Sequence, residues 1–231
     1  MELILIRHGQ SEWNAKNLFT GWIDVELSPK GVEEAKKAGK LLKEAQILPN
    51  ICYTSYLKRA IHTAQIALKE LNWEHIDVIR SWKLNERHYG DWQGRNKKEV
   101  KEKYGEELFM AVRRGYDTPP PPLEESDPDY ESRYPLEAKY EGIDYHPRSE
   151  SLKDTRERVV EYFFEEIMPS LILYDSVMIA AHGNSLRALI MYLENIAPED
   201  VSKIEVPTGT PIVYKLTKEL KIVDKKVFSQ G

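Results

Sequence analysis

The sequence predicts an α/β protein with a mostly parallel central sheet. Two observations carry that reading. Short apolar runs recur along the chain, and between them lie segments with apolar residues at helical spacing. Residues 2–6 (ELILI) read as a buried strand. Ser28-Pro29 then opens a helix, with serine as N-cap and proline in the first turn, and Val32, Ala35, Gly39 and Leu42 form its small-residue face. Residues 50–54 (NICYT) are a short strand. A helix from about Tyr56 to Leu71 follows, with Leu57, Ala60, Ala64 and Leu68 on one side. Residues 76–79 (IDVI) are another strand, and NKKEVKEKYG is a charged helix ending at Gly105.

Composition changes at 117–149, which holds PPPP, several acidic residues and many tyrosines but no apolar period. That segment is either a surface loop or linker, or a cover over an active site. A helix resumes near Ser151 with Val159, Tyr162, Phe163 and Ile167 as its buried face, and Trp73, Phe163 and Phe164 read as packing residues. SVMIAA at 176–181 is a strand, SLRALIMYLENI a helix and TPIVYKL a last strand. A chain of 231 residues fits one domain, 1–231, carrying the Pro-rich insert at about 117–149.

Hydrophobic and charged fractions of 41% and 31% are those of an ordinary globular protein. No apolar run approaches the roughly 20 residues of a membrane span. A net charge of −5 argues against nucleic-acid binding through overall charge, yet leaves room for a small basic pocket. The start, MELILIRHG, lacks the basic segment and cleavage site of a secretory signal, and Cys52 stands alone. A reducing, cytoplasmic setting is expected.

One local arrangement occurs twice. Arg7-His8-Gly9-Gln10-Ser11 follows one strand, and His182-Gly183-Asn184-Ser185 follows another. In open α/β sheets the ligand crevice lies beyond the carboxyl ends of the strands, so both histidines belong at that edge. Glycine after each histidine allows close approach of a ligand, and the following N–H groups at a helix start can hold an anion. Arg7 disfavours a second positive charge on His8 and so favours the neutral ring, which is either a metal ligand or a nucleophile. Arg59 lies in the first turn of its helix, where a cation opposes the macrodipole, and Arg87 follows a strand. Arginine suits phosphate oxygens. Arg113-Arg114, before a glycine, could equally be a favourable helix C-terminal pair. His62, His75, His88 and His146 stand in no comparable context. His8, His182 and Glu86 could supply two imidazoles and a carboxylate to a metal. Arg7 and Arg59 would repel a dication and attract phosphate, so the nucleophile is preferred and no metal is expected.

The motifs resemble a known family. LIRHGQSEWN, FTGW at 19–22, TSYLKRAIHTA at 54–64, WKLNERHYG at 82–90, RRG at 113–115 and AAHGNSLRALI at 180–190 are similar to the cofactor-dependent phosphoglycerate mutases of the histidine phosphatase superfamily. The likeness spans almost the whole chain in one order. It implies a three-layer α/β/α sandwich, His8 as the phosphoryl-accepting nucleophile and Glu86 as proton donor and acceptor. It further implies Arg7, Arg59 and His182 around the transferring group. By position it implies binding through Ser11, Asn14, Thr20, Gly21, Arg87, Tyr89, Lys97, Arg113, Arg114, Gly183 and Asn184. The ligands implied are 3- and 2-phosphoglycerate, with 2,3-bisphosphoglycerate as primer, in a homodimer or homotetramer. A broad phosphomonoesterase of the same superfamily and a non-catalytic phosphate sensor are the alternatives. The sequence departs from the family pattern at Gln10, at Trp92, where a smaller apolar residue is common, and at its end, VFSQG, where many relatives continue with an Ala/Lys-rich tail that helps close the site.

Overall fold

A computed structural model of the chain describes residues 1–128, 130 and 138–228. Part of the Pro-rich insert (129 and 131–137) and the closing 229–231 lie outside the described residues.

β1 (Glu2–Arg7), β2 (Ile51–Thr54), β3 (Val78–Arg80), β4 (Ser176–Ala181), β5 (Pro211–Leu216) and β6 (Ile222–Val227) form one sheet in the order β3-β2-β4-β1-β5-β6. The pairs β1/β4, β2/β4 and β2/β3 are parallel, while β5 runs antiparallel to β1 and β6. Alternation along β1 sends Leu3 and Leu5 to one face and Ile4 and Ile6 to the other. Both faces are covered, which is why β1 reads as a continuous apolar run.

On the Ile4/Ile6 face lie α2 (Pro29–Glu44) and α3 (Lys58–Leu71). Ser28 caps α2 by accepting the Gly31 N–H at 3.1 Å. The buried stripe of α2 is Gly31, Ala35, Ala38, Gly39 and Leu42, with Val32 at its margin. The Leu3/Leu5 face is covered by α6 (Leu152–Tyr162), a π-helical turn at Phe163–Ile167, α7 (Met168–Tyr174) and α8 (Gly183–Leu193). These are the three layers expected. Val159, Tyr162, Phe163 and Ile167 are buried, but Phe164 is 41% exposed and only touches Phe163 and Tyr192 by its edge. Successive residues of a helix point to different sides, so Phe163 faces the core while its neighbour Phe164 faces outward.

α1 (Glu12–Ala15), α4 (Lys97–Tyr104) and α5 (Glu106–Arg114) stand at the carboxyl edge of the parallel strands. Phe19, Trp92, Val100, Phe109 and Val112 form a separate small core there, with Trp92 fully buried at its centre. Two strands differ from expectation. β3 begins two residues later than expected, and its edge position leaves it with little apolar signal. β6 was not anticipated at all: every residue of IVDKKV is exposed, and backbone pairing with β5 is what makes it a strand.

The segment that carries Glu86 is held from behind by a buried ion pair. Arg158 donates through Nε to Glu150 Oε1 (2.7 Å) and through Nη2 to Oε2 (2.9 Å). The same guanidinium donates to the carbonyls of Lys83 (2.9 Å), Asn85 (3.0 Å) and Glu86 (3.0 Å). Glu150 also accepts from the His88 N–H (2.8 Å) and the Tyr145 hydroxyl (2.8 Å). Burial alone would push the Glu150 carboxyl up, but the Arg158 guanidinium holds it below the usual carboxylate range. His88 is 1% exposed and packs on Trp22, and burial lowers it from 6.5 to about 4.

Two expectations follow. Glu150→Ala should cost about 3–5 kcal/mol in urea denaturation, because Arg158 is then buried without its anion. Replacing both partners by apolar residues of similar volume should recover much of that loss; a single variant as stable as the parent would refute the brace. Stability should also fall on acidification. Between pH 6.5 and 4 the unfolded chain binds a proton at His88 that the folded state refuses, worth about 1.4 kcal/mol per pH unit and about 3 kcal/mol in all. His88→Gln should therefore show a shallower loss of urea midpoint over that range than the parent, and equal slopes would exclude the effect.

Candidate active site

Sheet register builds the centre of the site. β1 and β4 pair in parallel with Arg7 opposite Ala181, so the next residues, His8 and His182, emerge side by side with ring centroids 5.0 Å apart. Thr54 of β2 pairs with Ala180, so Ser55 leaves the sheet beside them and its Oγ meets His182 Nε2 at 2.8 Å. Three strand ends thus bring together what the sequence separates by up to 174 positions.

His8 is 2% exposed, and its Nδ1 lies 2.6 Å from the Gly9 carbonyl. A carbonyl only accepts, so Nδ1 carries the hydrogen and Nε2 keeps the lone pair. Burial, then Arg59, then Arg7 hold His8 well below its ordinary pKa. His182 is lowered in the same way by burial, Arg59 and His8. Both rings are neutral at pH 7.

A cavity of about 180 Å³ opens at this edge. Its wall includes Arg7, His8, Arg59 and Glu86 of the expected catalytic set. Of the expected binding set it includes Asn14, Thr20, Gly21 and Tyr89, and also Lys97, Arg113, Arg114, Gly183 and Asn184. Leu18, Phe19 and Arg187 line it as well, and the sequence reading singled out none of them. His182 lies fully buried behind His8. Ser11 and Arg87 are supports rather than wall. Ser11 caps α1 in a reciprocal pair of hydrogen bonds with Asn14. Arg87 donates to the Val112 carbonyl (2.7 Å) and the Tyr89 hydroxyl (3.0 Å).

Glu86 is held by one oxygen. Its Oε1 accepts the N–H groups of Arg87 (2.8 Å) and of Asn184 (3.1 Å), the latter in the first turn of α8. Oε2 has no hydrogen-bond partner among the described residues, so a proton on this carboxyl belongs on Oε2. The main chain of Glu86 is fixed too, since its carbonyl accepts from Trp22 Nε1 at 2.6 Å. The anion at the start of α8 is therefore the protein's own carboxylate. The amides after His8 are likewise engaged, Gly9 with Thr63 Oγ1 (3.1 Å) and Gln10 with Glu34 Oε2 (2.7 Å). These amides do not offer the anion cradle expected of them. The glycines serve protein packing: a Cβ on Gly9 would lie 2.2 Å from the Gly31 carbonyl oxygen, and one on Gly183 would lie 3.3 Å from the Arg7 guanidinium.

Arg59 is 1% exposed and donates to the carbonyls of Gly21 (2.7 Å) and Ile23 (3.0 Å), so it clamps the FTGW turn as well as facing the cavity. Burial brings it down to about 10, which leaves it charged at neutral pH. Several buried donors and acceptors at the site lack a partner: Arg7 Nε, Thr20 Oγ1, Arg87 Nε and His182 Nδ1. Arg7 and Thr20 stand on the cavity wall and Arg87 and His182 behind it, and unpartnered atoms at and beside a cation-lined cavity fit a phosphate group. Among the described residues no group of three or more His, Cys, Asp or Glu could hold a metal ion, and no helix is long and apolar enough to cross a membrane.

None of the described residues of 117–149 lines the cavity. They stand behind its wall, where the Tyr140 ring stacks on Trp22 (5.2 Å between centroids) and its hydroxyl accepts from Asn85 Nδ2. Pro121 O accepts the Asp91 N–H, and Leu123 is fully buried.

Residues 3–136 match the model of the histidine phosphatase superfamily (branch 1). A 2,3-bisphosphoglycerate-dependent phosphoglycerate mutase of Corynebacterium diphtheriae is 55% identical over 215 residues, covering 93% of this chain and 86% of that protein. A protein of the same name from Treponema denticola is 51% identical over 229 residues, covering 98% and 91%. Among solved structures, a putative alpha-ribazole-5'-P phosphatase from Escherichia coli superposes with a TM-score of 0.74 at 21% identity, covering 100% of this chain and 96% of that one. That last likeness is one of fold. With the superfamily model matched over more than half of its length and full-length relatives above half identical, the chain belongs to the histidine phosphatase superfamily and, within it, to the family of 2,3-bisphosphoglycerate-dependent phosphoglycerate mutases.

Proposed function

We propose that the protein interconverts 3-phosphoglycerate and 2-phosphoglycerate, an isomerase reaction of glycolysis and gluconeogenesis, through a phosphohistidine on His8. The observation that carries this reading is the tautomer of His8. Its Nδ1–H is committed to the Gly9 carbonyl, and its Nε2 lone pair stands among Arg7, Arg59 and Glu86. The names of the relatives support the substrate pair and the primer. When bound, 2,3-bisphosphoglycerate supplies the phosphoryl group that loads His8.

The residues act as follows. Nε2 of His8 attacks phosphorus in line, so an N–P bond forms as an O–P bond breaks. The leaving alkoxide takes a proton from Oε2 of Glu86, and Glu86 later recovers one from the other hydroxyl. Charge on the equatorial oxygens is met by Arg7, Arg59 and His182, donors already in place. In the tautomer where Ser55 Oγ donates to Nε2 of His182, the unpartnered Nδ1 carries the hydrogen and can give it to a phosphoryl oxygen. Lys97, Arg113 and Arg114 are the cations for the carboxylate and the second oxyanion, with Asn14, Thr20 and Tyr89 as neutral partners.

Water decides whether such a site isomerises or hydrolyses. The insert contributes to this balance by bracing Trp22, and through Trp22 the main chain of Glu86. A cytoplasmic setting and a homodimer or homotetramer belong to the same reading, on the likeness to relatives.

Incubation with labelled 2,3-bisphosphoglycerate should put acid-labile phosphate on His8. His8→Asn should lack it and lose mutase activity by at least 10³-fold, in keeping with loss of a nucleophile; an unaltered rate in that variant would end the proposal. Tyr140→Ala should raise the ratio of phosphatase to mutase activity several-fold in paired assays, and a constant ratio would remove the insert from the mechanism.

A further inference from the structure

Arg187 lies in the second turn of α8, three residues after Asn184, and it lines the cavity. Its Nη1 donates to Asn184 Oδ1 at 2.8 Å and its Nε to the Ile204 carbonyl at 3.2 Å. Nη2 has no hydrogen-bond partner among the described residues, and no carboxylate there forms an ion pair with this guanidinium. Burial lowers its pKa to about 10, against the opposing pull of Tyr89 and Glu86, so it stays charged at neutral pH. Asn184 is gripped from three directions: Nδ2 donates to the Tyr89 hydroxyl, Oδ1 accepts from Arg187, and its main-chain N–H donates to Glu86. A half-buried cation with one free edge, fixed to a cavity-wall amide, is built to receive an anion.

Charge counting says which one. Arg7 and Arg59 are the cations whose fields act on His8, and they belong to the phosphoryl group at its Nε2. Lys97, Arg113, Arg114 and Arg187 remain in the wall. A monophosphoglycerate with its phosphate at His8 leaves only a carboxylate, about one negative charge, for these four. A bisphosphoglycerate leaves a carboxylate and a second phosphate, together about −3 at neutral pH. Four cations come within about one charge of the second case and exceed the first by about three.

Resting on the proposed substrate class, we propose that Arg187 binds the second phosphate of the bisphosphate and sets the preference for doubly over singly phosphorylated glycerates. Its Nη2 and Nη1 edge meets the phosphate oxygens, while Nε keeps the guanidinium anchored to the carbonyl of Ile204. The role differs from catalysis: Arg187 governs how firmly the bisphosphate is kept while His8 is free of phosphate.

Equilibrium titrations of full-length His8→Asn protein, with and without Arg187→Gln, using 2,3-bisphosphoglycerate and 3-phosphoglycerate as separate ligands, read this directly without turnover. Arg187→Gln should weaken bisphosphate binding roughly tenfold and monophosphate binding less than twofold. Arg187→Lys, which keeps the charge but not the fork, should fall between. Equal losses for the two ligands, or none, would overturn the assignment. So would a ligand-free melting temperature so reduced that Arg187 proves to be a structural residue. The proposed activity fails on a separate reading, the absence of phosphate on His8 in the unaltered protein, so the two failures are told apart.

Discussion

The in-register parallel pairing of β1 with β4 is the constraint on which the site depends. Arg7 lies opposite Ala181, and so the residue after each strand is a histidine facing the other at 5.0 Å. A slip of one residue would turn Ile4 and Ile6 to the wrong face, break both core clusters and separate the rings. The apolar alternation that fixes the core therefore also fixes the chemistry. Burial at this edge then excludes charge from both imidazoles, and Arg7 and Arg59 reinforce that exclusion. The neutral imidazole that the proposed reaction uses as its nucleophile is the direct result of where two strands end.

The cations that keep His8 neutral carry a cost that the fold meets in two ways. Arg59 and Arg7 spend part of their hydrogen-bonding capacity on carbonyls, of Gly21 and Ile23 in one case and Val206 in the other. They retain donors toward the cavity, and Arg7 Nε is one with no protein partner. The carboxyl beside them, the acid of the proposed reaction, is handled differently. Glu86 is tied by one oxygen to two main-chain amides, while its own backbone hangs from Trp22 and Arg158. Arg158 in turn is neutralised by Glu150, a fully buried carboxylate outside the cavity. Charge compensation and positioning are thereby moved behind the wall, and the cavity itself keeps its surplus of positive charge.

Much of this was legible in the sequence, and the residues show why. The repeated strand-His-Gly pattern needs only local periodicity to be seen, and it places His8 and His182 correctly. Their glycines were equally visible, but their purpose was not: Gly9 makes room for Gly31 of another element, a contact that no local pattern announces. The Glu150–Arg158 pair falls in the same class, since each residue alone resembles a solvated charge and only the tertiary fold buries them together. β6 was missed because IVDKKV has no apolar alternation and none of its residues is buried, so no core-facing pattern marks it. Arg187 did leave a signal, as the lone cation in the otherwise apolar run SLRALIMYL. A charge kept inside a buried helix needs a partner, and here the partner is the amide of Asn184.

The same geometry suits the proposed reaction to run in both directions. Phosphohistidine formation and its reversal pass through one pentavalent arrangement, so a donor set built for one serves the other. In the proposed reaction the two halves differ in which hydroxyl faces Nε2, and Glu86 is suited to both because its Oε2 is tied to no group among the described residues. A carboxyl tied by both oxygens would be fixed in one protonation role. A carboxyl tied by neither would wander from the line of transfer. Holding Oε1 on two amides and leaving Oε2 to the cavity satisfies both demands, and it requires α8 to begin where β4 ends, a place set by the register of the sheet.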